Sequence, residues 1–241
     1  MTEPEVVVHD DAGTLAGDVA SRLLEVLELA QADGRVPQIG LTGGSIADAV
    51  HREVARRAVD SSVDWTRVVL WWGDERFVPA GSSERNATGA RQALLDGLPL
   101  DPAHVHEMPA ADGGLDLDGA AAAYADDLRT HGSGAFDVLM LGVGPDGHCA
   151  SLFPGHPALD VDDQVAVGVR ESPKPPPERI SLTFAALNRS RAVWFVVSGE
   201  EKAAAVASAL SGADVHQTPA AGVQGQDETL WLLDADAASQ L

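Results

Sequence analysis

The chain has 241 residues, 45% of them hydrophobic, and a formal charge of -21 at pH 7, from 16 Lys and Arg against 37 Asp and Glu. That length suits one α/β domain with a sizeable core, and the charge argues against general affinity for nucleic acid or anionic membrane, although a few local cations can still hold a small anion. No apolar run approaches the roughly 18 residues that cross a bilayer, the start MTEPEVVVHD lacks a signal-peptide pattern, and Cys149 is the only cysteine, so a cytoplasmic protein without disulfides is expected.

In chain order, Glu5 to His9 reads as a strand, and Leu15, Val19, Leu23, Val26, Leu27 and Ala30 repeat at helical spacing until Gly34 closes the helix. Gln38 to Leu41 is a second strand, which turns through Thr42, Gly43, Gly44 and Ser45 into a helix carrying Ile46, Ala49, Val50 and Val54. Such a turn presents free backbone N–H groups and the positive end of a helix dipole, which suits phosphate. A plain cap and tight turn fits the same residues. The Gly-Lys-Ser/Thr ending of a Walker A loop is missing. Arg67 to Trp72 predicts a third strand ending in Asp74, Glu75 and Arg76, wedged between Trp72 and Phe77; three charges at the carboxyl end of a strand point to function. Glu84 to Leu95 reads as a helix, with Asn86 near its start as a site residue or a capping one, the cap fitting the sequence better.

His104 and His106 lie in the extended segment HVHEM, where a metal pair is conceivable. Alternate residues beside Pro99, Pro102 and Pro109 fit an edge segment better, and no further ligand cluster is visible nearby in the sequence, so no metal is expected. Asp112 to Thr130 is a loop passing into an alanine-rich helix.

The centre of the chain is FDVLMLGVGPDGHCASLFPGHP, Phe136 to Pro157. Val138 to Leu141 is the continuous apolar run of a strand buried on both faces. It stops at Gly142, Gly144 and Gly147, so Asp146 and His148 fall at the carboxyl end of the strand, the edge where open α/β sheets bind ligands. The glycine spacing also fits a dinucleotide fingerprint, but Pro154 and Pro157 break the chain where that site needs a helix, so no nucleotide cofactor is expected.

Gln164 to Val169 is the next strand. Pro173 and Pro175 to Pro177 then stiffen an arm carrying Lys174 and Arg179, and Ile180 to Phe184 continues as strand. Arg191 to Ser198 is a further strand, with Gly199 to Lys202 opening the helix after it. Leu230 to Leu233 is a last strand and Asp234 to Leu241 a short closing helix. Strands alternating with helices predict one domain over 1–241: an α/β, doubly wound, Rossmann-like fold with a mostly parallel sheet and helices on both faces. Five loops then meet at one edge. They bring Arg76, Lys174, Arg179 and Lys202 for an anion and Asp74, Asp146 and His148 for proton handling, the needs of a sugar-phosphate enzyme.

LTGGS, WWGDERFVP, ERNA, GVGPDGHCASLFP, SPKPPPERISLT, VSGEEKA and LWLLD together span nearly the whole chain, and in these the sequence resembles the 6-phosphogluconolactonases. The resemblance implies the fold shared with glucosamine-6-phosphate deaminases and ribose-5-phosphate isomerases. It also implies hydrolysis of 6-phospho-D-glucono-1,5-lactone to 6-phosphogluconate in the oxidative pentose phosphate pathway. On it, His148 looks like the family's base, Arg76 and Lys202 like its phosphate contacts, and Thr42 to Ser45 like its glycine-rich loop. Two departures stand out: Ile46 and Ala47 replace the common Thr-Pro, and Cys149 stands where threonine is frequent.

A lactone carbonyl needs only an activated water and a place for negative charge, so neither cofactor nor metal is expected. His148 can take the proton, Asp146 or Asp74 can fix its ring, and amides such as those of Gly43 and Gly44 can receive the oxyanion. Cys149 is a poor candidate nucleophile, because neighbours along a chain point apart. A glucosamine-6-phosphate deaminase would read DEY in place of Asp74 to Arg76 and an AFNEP-like run in place of ASLFP. A non-catalytic sugar-phosphate sensor would need a helix-turn-helix or basic region, and none is visible. The expected partner is the lactone, without nucleic acid or membrane, bound by a monomer or weak homo-oligomer.

Overall fold

Strands in a parallel sheet need cover on both faces, and the apolar runs supply it. In the computed structural model, which describes residues 3–241, β1 (Glu5–His9), β2 (Gln38–Leu41), β3 (Val69–Trp72), β5 (Val138–Leu141), β8 (Ala192–Val197) and β9 (Glu228–Asp234) form one sheet in the order β1-β9-β8-β5-β2-β3. Every neighbouring pair in it is parallel. β2, β3 and β5 are buried at each position. From β2 the chain moves outward to β3, returns to β5 beside β2, and then runs the other way through β8 and β9. The carboxyl ends of β2 and β5 therefore flank the point where strand order reverses, which is where a crevice opens in such sheets.

The helices cover this sheet. Asp11 caps α1 (Ala12–Ala32) by accepting from Thr14 N at 2.7 Å, and Leu15, Val19, Leu23 and Leu27 bury its inner stripe. It packs on α2 (Ser45–Ala58). After α3 (Asn86–Ala93), α4 (Leu117–His131) is tied to the sheet by the Tyr124 hydroxyl, which donates to Trp72 O at 2.9 Å and accepts from Trp72 N at 2.8 Å. α5 (Phe184–Leu187) and α6 (Ala203–Leu210) complete the α-helices among the described residues.

Several local expectations change. The charged run after β3 is not a loop: β4 (Asp74–Arg76) pairs antiparallel with β7 (Arg179–Leu182), which pairs with β6 (Ala166–Val169), making a second, three-stranded sheet. The strands expected near Gln164 and Ile180 thus belong to this antiparallel sheet. Gly73 joins the two sheets, its N–H donating to Leu41 O at 3.1 Å and its carbonyl accepting from Leu182 N at 2.9 Å. The segment around His104 and His106 reduces to a single parallel bridge between Leu70 and Val105 at the outer edge of β3. No closing helix forms after Leu233. Asp234 continues β9, and turns follow in which its carboxylate accepts from Ala237 N at 2.8 Å. The first two residues of the expected 1–241 domain lie outside the described residues.

Candidate active site

A cavity of about 320 Å³ opens at the carboxyl ends of β2 and β5. Thr42, Gly43, Gly44 and Ser45 form one wall. Gly44 takes φ 105° and caps α2 without any side-chain hydrogen bond, so the first amides of that helix keep their donors for a ligand. Asp74, Arg76, His148, Lys174, Arg179 and Lys202 line the same cavity, so all five loops contribute to it. A smaller, mainly apolar cavity of about 130 Å³ near Leu128, Phe136 and Leu182 lies at the amino ends of the strands and is far poorer in ionisable groups.

The loop after β5 folds back on itself: Gly144 N donates to His148 O at 2.9 Å and Gly147 N to Gly144 O at 2.9 Å. A Cβ on Gly144 would strike the His148 ring, so this position requires glycine. His148 Nδ1 lies 2.5 Å from Asp146 Oδ1, and Lys174 Nζ lies 3.3 Å from the same oxygen and 3.4 Å from Nδ1. A carboxylate can only accept, so Nδ1–H donates to Asp146 and the lone pair resides on Nε2. Among the described residues Nε2 has no hydrogen-bond partner, while the ring packs against Phe153 with centroids 4.5 Å apart and planes inclined by 33°. Burial pushes the Asp146 carboxyl up, but the hydrogen bond and charge of His148 and the ammonium of Lys174 outweigh it and hold the group well below the usual carboxylate range.

Asp74 does not touch the imidazole. Its Oδ2 accepts from Ser151 Oγ at 2.5 Å and its Oδ1 from Asn86 Nδ2 at 3.3 Å. Asn86 Oδ1 in turn accepts from Arg76 Nη1, which also donates to Glu84 O at 3.1 Å. Asn86 therefore belongs to the cavity wall, and its side chain caps nothing. The cap of α3 comes from Glu75, a buried carboxylate accepting from the backbone N–H groups of Arg76, Asn86 and Ala87 at 2.7 to 2.9 Å, with Arg85 Nε 3.7 Å away. Burial raises the Glu75 carboxyl against these donors.

Arg179 is 4% exposed and directs its guanidinium at the carbonyls of Lys174, Pro175 and Pro176. It buckles the proline arm while lying 5.4 Å over the Phe153 ring. Lys202, which also lines the cavity, places its Nζ 3.4 Å from Glu201 Oε1. The turn carrying it is anchored by Asp234, which accepts from Gly199 N at 3.1 and 3.2 Å and from Ser198 Oγ. The sequence offered no role for Ser151 or Asp234, and it marked Glu75 only as one of the three charges between Trp72 and Phe77. Cys149 is fully buried and its thiol is pushed up by desolvation and by Asp74, which makes it a poor nucleophile.

His104 and His106 do not converge. His104 Nδ1 lies 2.9 Å from Thr66 O, whereas His106 turns to Asp127 on α4.

The sequence matches the family described as Glucosamine-6-phosphate isomerases/6-phosphogluconolactonase over residues 10–231. The 6-phosphogluconolactonase of Streptomyces coelicolor is 51% identical over 247 aligned residues, covering 99% of this chain and 95% of the relative. The crystal structure of 6-phosphogluconolactonase from Thermotoga maritima superposes with a TM-score of 0.85 at 26% identity, over 96% of this chain and 99% of that one. A monomeric glucosamine-6-phosphate deaminase superposes with a TM-score of 0.83 at 18% identity, covering 98% of this chain and all of that one, a likeness of fold alone.

Proposed function

This chain belongs to the glucosamine-6-phosphate isomerase/6-phosphogluconolactonase family and is a lactonase member of it, and from that premise we propose that it hydrolyses 6-phospho-D-glucono-1,5-lactone to 6-phosphogluconate with His148 as the base. The observation that carries the reading is the Asp146–His148 pair, its Nε2 free, in one cavity with Arg76 and Lys202. In the proposed reaction Nε2 takes a proton from water as the oxygen adds to the lactone carbonyl. The tetrahedral oxyanion collapses, the bond to the ring oxygen breaks, and the imidazolium returns its proton to that leaving oxygen. Asp146 fixes the tautomer and steadies the imidazolium, and Lys174 keeps Asp146 ionised at that end of the cavity. The phosphate lies at the other end, against Arg76, Lys202, Thr42 and the Ser45 amide at the start of α2, where charge-assisted bonds are each worth about 1.5 to 3 kcal/mol. Asp74 orients Asn86 and through it Arg76, and Arg179 holds the arm that presents Lys174. Amides of Gly43 and Gly44 beyond those on the phosphate receive the oxyanion. Neither cofactor nor metal takes part.

We place the protein in the cytoplasm, as one domain acting as a monomer or weak homo-oligomer. None of its described helices is long and apolar enough to cross a membrane. A coupled assay on freshly made lactone tests the activity: enzyme-dependent excess over spontaneous hydrolysis is expected. Ammonia release from glucosamine 6-phosphate, or sugar-phosphate binding without turnover, would overturn it.

A further inference from the structure

Away from the cavity, two histidines and an aspartate converge at the edge of β3. His106 is held in place by its backbone: its N–H donates to Leu70 O at 2.9 Å. Its ring stacks on Trp71, centroids 3.9 Å apart and planes 6° apart, and Trp71 is itself fixed by a 2.8 Å hydrogen bond from Nε1 to Gln38 Oε1. Asp127 and His131 sit four residues apart on α4, a spacing that puts both on one helix face. The two imidazoles aim Nδ1 at one carboxylate, His106 at Oδ2 from 2.9 Å and His131 at Oδ1 from 2.8 Å. The rings lie 5.4 Å apart, inclined by 26°, and one ligand atom from each of the three residues falls within 4.8 Å of the others.

We propose that His106, Asp127 and His131 form a binding site for a divalent transition cation of the zinc class, which clips the edge segment to α4. Two imidazole nitrogens and one carboxylate are a donor set that suits zinc and its neighbours and is poor for magnesium or calcium, which take oxygen. Bonds of about 2.0 to 2.1 Å in tetrahedral geometry put neighbouring donor atoms about 3.3 Å apart. The two Nδ1 atoms now lie 2.9 and 2.8 Å from different oxygens of Asp127, with the three donor atoms within 4.8 Å of one another, so gathering them round one ion takes shifts of up to about 1.5 Å, which a solvent-facing His131 allows. Each neutral imidazole moves its proton to Nε2 and offers Nδ1 to the metal, and solvent completes the coordination. Exposure rises from 10% at His106 to 58% at His131, so the site is fixed on its inner side and open to entry from outside. None of the three residues lines the catalytic cavity.

The test uses the full chain, stripped with a chelator and titrated with Zn²⁺ against a chromogenic competitor. One equivalent bound with Kd of about 10 μM or tighter is expected, together with a thermal midpoint several degrees higher at a hundredfold excess over Kd. His131→Ala, at an exposed position that leaves the fold intact, and Asp127→Asn should each weaken binding at least about tenfold and cancel the thermal shift. His104→Ala should change neither. Weaker binding to the parent protein, a smaller loss in either of the two ligand variants, or an effect of His104→Ala overturns the proposal.

Discussion

An imidazole accepts a proton only through the nitrogen that keeps its lone pair, and at His148 the bond to Asp146 selects Nε2. His148→Ala should therefore lower kcat by roughly 10²- to 10⁴-fold with little change in KM, and a variant of full rate would end the base assignment. Lys202→Ala should instead raise KM by roughly ten- to a hundredfold and move kcat far less, because the phosphate contact proposed for it would persist from bound substrate to transition state. Steady-state kinetics on fresh lactone separate the two, and a Lys202 variant that loses kcat alone would contradict the phosphate role. These residues were legible because each stands in a short local string, such as GPDGH, GDERF or GEEK. The choice between Asp146 and Asp74 beside His148 was not, since it depends on Asp74 meeting Ser151, 77 positions away. The same holds for Arg179, whose positive charge suggests an anion while its hydrogen bonds go to its own arm.

Asp234 shows how one element end can govern another. Its carboxylate closes β9, holds Gly199 N and Ser198 Oγ, and so sets the turn from which Lys202 reaches the cavity. Asp234→Ala should raise KM several-fold, leave kcat within a few-fold, and lower stability by about 1 to 3 kcal/mol through the unpaired amides. Asp234→Asn, which keeps one acceptor oxygen, should recover part of the KM loss. Unchanged KM in the alanine variant would show that the turn stands without this brace. The long helices and apolar strands were readable from periodicity, because burial on a fixed face repeats along the sequence. β4 was not: three charged residues between aromatics carry no alternation, and the partner that makes them a strand lies about a hundred residues further on. The predicted closing helix failed for a related reason, since Asp234 is claimed by the sheet and by Ser198 and Gly199 before a helix can use it.

For the molecule as a whole, acid stability should turn on His51, a residue of α2 that is 1% exposed and, among the described residues, has no partner for either ring nitrogen. Desolvation, aided by the Arg52 charge, lowers it from 6.5 to about 4. The folded chain thus keeps this ring neutral while the unfolded chain protonates it, so between pH 6.5 and about 4 the unfolded state binds more protons and stability falls as pH drops. The loss across that window is on the order of 3 kcal/mol. Urea midpoints at pH 7 and 4.5 should differ clearly for the parent and much less for His51→Leu; an equally acid-sensitive leucine variant would move the cause elsewhere. The doubly wound order was readable from alternating strands and helices, whereas the small antiparallel sheet was not, its pairings being settled only in three dimensions. The sealed position of Cys149, the chain's sole thiol, has a practical consequence. A cysteine engineered on the proline arm would be the one site open to a maleimide dye, so a fluorophore could report movement of that arm on a background that needs no prior removal of native sulfur.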